Sequence, residues 1–207
     1  MVPVNDIPTR ELYWNISGEG LVYLFFAIAL AVFAYGVYKQ YKIWRLGKED
    51  LRTDQLGARI KKLIVETFGH MRILRDALPG WMHFFIFWGF VIMTFGTAMV
   101  LLQDYTGIPT MFGNFYLGLS LVLEFAGLLA LIAIGYFAYR RYVVKPDRLD
   151  TRIDDGLVLL LLALIIITGF IVEGARIVAT NDPWYAWQPV GYVFSLILGG
   201  LSLSALK

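Results

Sequence analysis

Residues 81–103 read WMHFFIFWGFVIMTFGTAMVLLQ, a run without a single Asp, Glu, Lys or Arg. A helix rises about 1.5 Å per residue, so about 20 such residues cross the hydrocarbon core of a bilayer. Pro79 and Gly80 punctuate the start of the run. Three further runs of membrane-helix length are read at 20–40, 115–139 and 156–178, and a shorter apolar stretch at 190–207. Composition agrees: 58% of the 207 residues are hydrophobic and 16% are charged, against about 25% charged in an ordinary soluble domain. The expected fold is all-α and integral to the membrane. It has four transmembrane helices, a truncated fifth over 190–207 and a cytoplasmic amphipathic helix over 57–78.

Charge distribution orients the chain. The connection 39–79 holds ten Lys and Arg, and 140–155 holds five more. The opposite side has Arg10 and Arg176. The positive-inside rule puts both basic connections in the cytoplasm and residues 1–19 outside, as an extracytoplasmic tail. That tail lacks the basic n-region of a signal peptide, so the first span is read as retained. Localisation is then the cytoplasmic (inner) membrane, multi-pass. The last stretch is too short to span, and no polar tail follows it. The chain therefore reads as the N-terminal part of a longer protein.

Within the first connection, Ile60, Leu63, Ile64, Phe68, Met71, Leu74 and Leu78 recur at steps of three and four. Arg59, Lys61, Lys62, Arg72 and Arg75 fill much of the rest. Such a basic amphipathic helix can lie in the membrane interface or receive a cytoplasmic partner.

His83, three residues into the second apolar run, is the first chemical candidate. An ionisable side chain inside a span usually faces a partner, a water cavity or a cofactor. Imidazole is also a common axial ligand of haem iron. Gly80, Gly89 and Gly96 thin one side of this span, and Trp81, Phe84, Phe87, Trp88 and Phe90 offer flat faces. The plainer reading is a histidine bonded to a backbone carbonyl or headgroup, among aromatics that are ordinary core. The chain's other histidine, His70, lies across the Pro79-Gly80 break and is expected at the cytoplasmic surface, solvated or lipid-facing.

Glu124 lies well inside the third span, where a carboxylate needs a proton or a partner. It is either a proton relay or quinone contact, or a hydrogen bond to a neighbouring helix. Glu173 and Arg176 stand three apart near the outer end of the fourth span, a spacing that permits an ion pair on one helix. They are either an interfacial pair or, beside Trp184 and Trp187, one wall of a quinone pocket. With no cysteine, the chain can hold no disulfide and no Cys-ligated iron–sulfur cluster. No phosphate-binding glycine loop, HExxH or nucleophile elbow is present. The spans also lack the paired broken helices and repeat symmetry of a transporter.

The second span (PGWMHFFIFWGFVIMTFGT), the Arg140-Arg141-Tyr142 edge, Thr168-Gly169-Phe170 with Glu173-Gly174-Ala175-Arg176, and Trp187-Gln188-Pro189-Val190-Gly191 together resemble one family. It is the nitrate reductase gamma-subunit-like cytochrome b membrane domain, in the form joined to heterodisulfide-reductase-type iron–sulfur proteins. The resemblance implies a membrane electron-transfer module binding haem b, with His83 an axial ligand. Family members of the nitrate reductase type carry a second histidine ten residues on; Met93 stands there in this chain. One haem is therefore expected; Met93 is a candidate ligand for a second, and His70 a candidate for the other axial position of the first. The implied partners are the lipid bilayer, a quinone as substrate and a cytoplasmic iron–sulfur domain or subunit, with no nucleic acid. Glu124, Glu173 and Arg176 are the candidates for quinone or proton contact. The rivals are a haem-free membrane anchor of a redox complex and, more distantly, a small transporter.

Overall fold

A computed structural model describes residues 7–14, 19–48, 54–147, 149 and 152–200. The rest of the expected outer tail (1–6, 15–18), residues 49–53 of the first basic connection and the end of the fifth helix (201–207) lie outside the described residues. The helices are α1 (Glu19–Trp44), α2 (Leu56–Leu63), α3 (Ala77–Thr106), α4 (Gly113–Tyr139), α5 (Ile153–Thr180) and α6 (Pro189–Leu198). Four segments are long and apolar enough to cross a membrane: Gly20–Trp44, Ala77–Thr106, Gly113–Val144 and Ile153–Thr180. The described residues contain no strand, only an isolated bridge between Thr9 and Phe112. The all-α membrane architecture expected from the apolar runs is the one found.

The chain divides into two units, residues 13–68 and the remainder. In the first, α1 is apolar on every side, and its Leu, Phe and Val side chains are exposed around the full circumference. A helix hydrophobic all round is suited to lipid rather than water. Its last turns are basic and aromatic: Lys39, Lys42 and Arg45 sit over the rings of Tyr35, Tyr38 and Tyr41, each one turn back. Such aromatic and basic pairs belong at a membrane–water boundary.

The single amphipathic helix expected over 57–78 is corrected. α2 stops at Leu63, a π-helical turn runs through Ile64–Phe68, and a 3-10 turn follows at Ile73–Arg75. The cause is local: His70 adopts φ +52°, the left-handed region that ends helices, directly after Gly69.

The second unit holds α3–α6. α3 and α4 form an antiparallel pair that touches backbone to backbone. A Cβ added at Gly89 would sit 2.9 Å from Ala130 Cβ and 3.0 Å from the Ala126 carbonyl oxygen. Without water to drive burial, helices in lipid associate through such close small-residue packing. The Gln103 side chain stitches the turn between them, accepting from the Met111 N–H at 2.7 Å. α5 meets α4 where the Phe170 ring covers Gly127. The inner core is Ala130, Ile134, Ile166 and Phe170.

Candidate functional site

Two polar places emerge in this unit, at opposite ends of α3. The first gathers both histidines. Gly80 has no side chain, so the Ile73–Leu74 backbone lies directly on the first turns of α3, where any Cβ would collide with the Ile73 carbonyl. That contact and the turn at His70 bring its ring under α3. The ring centre is 5.2 Å from His83, 4.7 Å from Phe87 and 5.8 Å from Phe84. His70 is 2% exposed. It is therefore neither solvated nor lipid-facing, contrary to the expectation from sequence. His83 is the exposed member of the pair.

This geometry tests whether the pair fits a haem. Two imidazoles on opposite faces of one iron have ring centres about 6 Å apart, given metal–nitrogen bonds of about 2 Å. Here the centres are 5.2 Å apart and the planes are inclined by 42°. So placed, the two rings lie against each other, with no iron-sized gap between them. The His83 ring is exposed and has no hydrogen bond among the described residues. One turn further along α3 begins an apolar groove of about 400 Å³ lined by Ile86, Phe87, Phe90, Val91, Thr94 and Leu162. Its walls suit the edge of a planar apolar group.

The second place is built where α4, α5 and α6 meet. α6 begins at Pro189, and its first turn packs on Glu173, with a Cβ at Gly191 falling 2.8 Å from Glu173 Cγ. Glu173 lies seven residues before the end of α5, so α6 starts about 10 Å short of that end. A helix start at such depth leaves backbone N–H groups that nothing in hydrocarbon can satisfy. Glu124 answers this from α4: its Oε2 accepts the N–H of Val190 at 2.6 Å and of Gly191 at 2.9 Å.

Arg176 holds the loop that precedes α6. Its Nη2 donates to Glu173 Oε1 at 3.0 Å and to Gln188 Oε1 at 2.7 Å, and lies 2.7 Å from Asp182 Oδ2. Gln188, 1% exposed, in turn donates to the Tyr116 hydroxyl at 2.8 Å. This network spends Arg176 inside the protein. Asp182, Gln188 and Tyr116 were not foreseen. Asp182 lies in a loop that reads as aromatic and interfacial, and nothing in the spacing pairs it with Arg176.

Next to the network a cavity of about 260 Å³ opens between α3, α4 and α5. One end is polar, with Arg10, Ser120, Glu124, Glu173 and Gln188. The remaining walls are apolar, including Val100, Leu123, Ile166 and Phe170. Met93 is one of these wall residues and packs on the inner core. It is ten residues beyond His83, about 15 Å along α3. Glu124 and Glu173 thus face the cavity, whereas Arg176 does not line it.

An apolar pocket with a few convergent polar groups is the usual form of a small-molecule site. The chain is similar to a quinone-linked oxidoreductase. That relative is the EtfAB:quinone oxidoreductase of Syntrophomonas wolfei subsp. wolfei (strain DSM 2245B / Goettingen), 35% identical over 212 residues, covering 97% of this chain and 30% of that protein. A second relative is named "Probable iron-sulfur-binding oxidoreductase FadF", from Bacillus subtilis (strain 168). It is 26% identical over 177 residues, covering 84% of this chain and 25% of that protein. The chain spans less than a third of the length of the curated relatives it matches. No family model matches it, so the cytochrome b likeness rests on its motifs alone. No solved structure matches it either.

The cavity offers hydrogen-bond donors and acceptors at one end and apolar surface elsewhere. That suits a flat, mostly apolar ring carrying oxygen atoms. His83 and the groove lie toward the other end of α3, where the first basic connection ends.

Proposed function

We propose that this chain is the membrane part of an oxidoreductase that passes electrons between a quinone pool and a cytoplasmic iron–sulfur domain or subunit. The observation that carries the reading is the cavity, with Glu124, Glu173, Arg10 and Gln188 at one end and apolar helix walls at the other. The names of two relatives, one a quinone oxidoreductase and one iron-sulfur-binding, support the same direction.

In this reading the His83 imidazole would hold the iron of haem b, with the Phe87–Phe90 groove beside it. Haem b, when bound, supplies a one-electron carrier inside the low-dielectric membrane. The chain's own residues then divide the work. Phe87, Phe90 and Leu162 exclude water along the groove. Glu124 and Glu173 stand where a quinone's oxygens would gain or lose protons. The positive-inside rule puts the His83 end at the cytoplasmic face of the inner membrane, near the iron–sulfur partner, and the cavity toward the outside. Single cysteines placed at Lys48 and Asn181 test this, because residues 1–207 have none. Labelling of Lys48→Cys by an impermeant reagent added outside intact cells would reverse the orientation.

The deciding experiment is a reduced-minus-oxidised spectrum of the full-length protein in membranes, followed by addition of a short-tailed quinol. A b-type α-band that responds to the quinol and vanishes in His83→Ala is the expected result. A colourless protein that still couples quinol oxidation to its iron–sulfur partner would establish the haem-free anchor instead. The packing of His70 against His83 is the observation on that side.

A further inference from the structure

One wall of the cavity belongs to no helix. Residues 7–12 cross its polar end as a strap. The Gly113 N–H donates to the Pro8 carbonyl at 2.7 Å, the Thr9 hydroxyl donates to the Met111 carbonyl at 3.2 Å, and Thr9 bridges Phe112 in antiparallel fashion. Leu12 packs on the cluster of Met111, Tyr116, Leu117 and Leu119. The strap therefore fixes Arg10 at the cavity.

Arg10 is incompletely satisfied there. A guanidinium carries five N–H donors. Among the described residues its one polar contact is Nη1 to Glu173 Oε2 at 3.8 Å, too long for a hydrogen bond. Its Nε is buried and has no acceptor. Leaving a buried donor unmet costs about 1–3 kcal/mol, more for a charged group. Across the cavity, Glu124 Oε1 and the Ser120 hydroxyl likewise form no hydrogen bond among the described residues. The cavity thus presents an unspent donor cluster and an unspent acceptor.

We infer that Arg10 binds a quinone carbonyl oxygen in this cavity, which makes the strap a part of the quinone site. The inference rests on the cavity reading above and adds the residue that recognises the ring. A free anion is a poorer occupant, because Glu124 and Glu173 line the same end and repel negative charge. A neutral carbonyl accepts from Arg10 without that penalty. In the reduced ring, a hydroxyl can donate to Glu124 Oε1.

The test uses the full-length protein in lipid nanodiscs, with 2-methyl-1,4-naphthoquinone as probe and tryptophan fluorescence quenching as readout. Arg10→Gln is expected to weaken binding roughly tenfold or more, the loss of a charged hydrogen bond. Arg10→Lys, with fewer donors, falls between that and wild type. Gly169 lines the cavity and has nothing within 4 Å of an added Cβ. Gly169→Leu therefore fills the space without a backbone clash and is expected to abolish binding. Wild-type affinity in both Arg10 variants, with binding lost in Gly169→Leu, overturns the role of Arg10 and keeps the cavity reading. Wild-type affinity in all three overturns both. Displacement of the quinone by inorganic phosphate in wild type, but not in Arg10→Gln, overturns the carbonyl assignment in favour of an anion. Melting temperature is read alongside. Arg10→Lys supplies the affinity comparison if Arg10→Gln loses its fold.

Discussion

The Glu124 carboxylate accepts the backbone N–H of Val190 at 2.6 Å, across two helices and 66 residues of sequence. Together with Gly191 this makes Glu124 the N-terminal cap of α6, supplied from α4. A capping oxygen ordinarily comes from the residue just before the helix. Here Gln188 holds that position, and its side chain is spent on Arg176 and Tyr116.

The cap predicts a graded response at Glu124. Glu124→Gln keeps an acceptor oxygen, so one or both N–H groups stay bonded, and the loss is small. Glu124→Ala leaves both unsatisfied away from water and should cost about 2–6 kcal/mol, at about 1–3 kcal/mol for each orphaned group. Unfolding by denaturant in mixed micelles measures the two. Equal losses would mean that the carboxylate does not hold α6.

Arg176 predicts a larger effect. Its guanidinium is 6% exposed and faces Glu173 and Asp182, whose side chains are 18% and 3% exposed. Removing one partner of a buried ion pair typically costs about 3–5 kcal/mol, because the other charge is stranded. Arg176→Gln strands two carboxylates and is expected at or above that range. Arg10→Gln, which breaks only a 3.8 Å contact, should cost far less. The same micelle measurement separates them; similar losses would show that Arg176 is no more structural than Arg10.

The two histidines should separate cleanly. His83 is exposed and His70 is buried against Phe84 and Phe87. His83→Ala should leave the melting temperature of the haem-free protein almost unchanged, and should remove any b-type absorption band from the full-length protein in membranes. His70→Val removes the packed ring and puts a β-branched residue at φ +52°, a true outlier for that residue type. A lowered melting temperature with the band retained is the expected outcome. A band lost in both variants, with the fold intact in both, would show that the iron needs both rings.

Much of this was legible in the sequence. Predominantly apolar runs of about 20 residues have one stable solution in lipid, so four spans follow from length and hydropathy alone. Glu124 and Glu173 were marked because a carboxylate inside an apolar run has to be explained. Arg176 was marked too, and its pairing with Glu173 is found, but its further partners, Asp182 and Gln188, come from a loop whose path depends on where α6 starts. The helix expected over 57–78 failed because periodicity counts apolar positions and does not register a left-handed residue. Gly69, just before His70, was the available signal. Arg10 had a signal as well: with Arg176 it is one of two cations on the side that reads as depleted of basic residues. Only the strap across Met111–Gly113 reveals what it faces.

The contact between α5 and α6 gives the last prediction. A Cβ on Gly174 would fall 2.7 Å from Phe194 Cβ and 2.9 Å from the backbone nitrogen of Ser195. Backbone cannot step aside, so Gly174→Ala must push α6 away from α5. Overpacking of this kind typically costs about 1–3 kcal/mol. The displacement also draws Val190 and Gly191 off the Glu124 carboxylate, so the cap weakens with the packing. Gly36, in α1, has nothing within 4 Å of an added Cβ, and Gly36→Ala should be neutral or slightly stabilising through helix propensity. Combining Gly174→Ala with Glu124→Ala tests the link. If α6 has already moved, the second substitution removes bonds that are already broken, and the double variant should lose less than the two single losses added together. Strict additivity would show that α6 keeps its cap when pushed, and that the two contacts are independent.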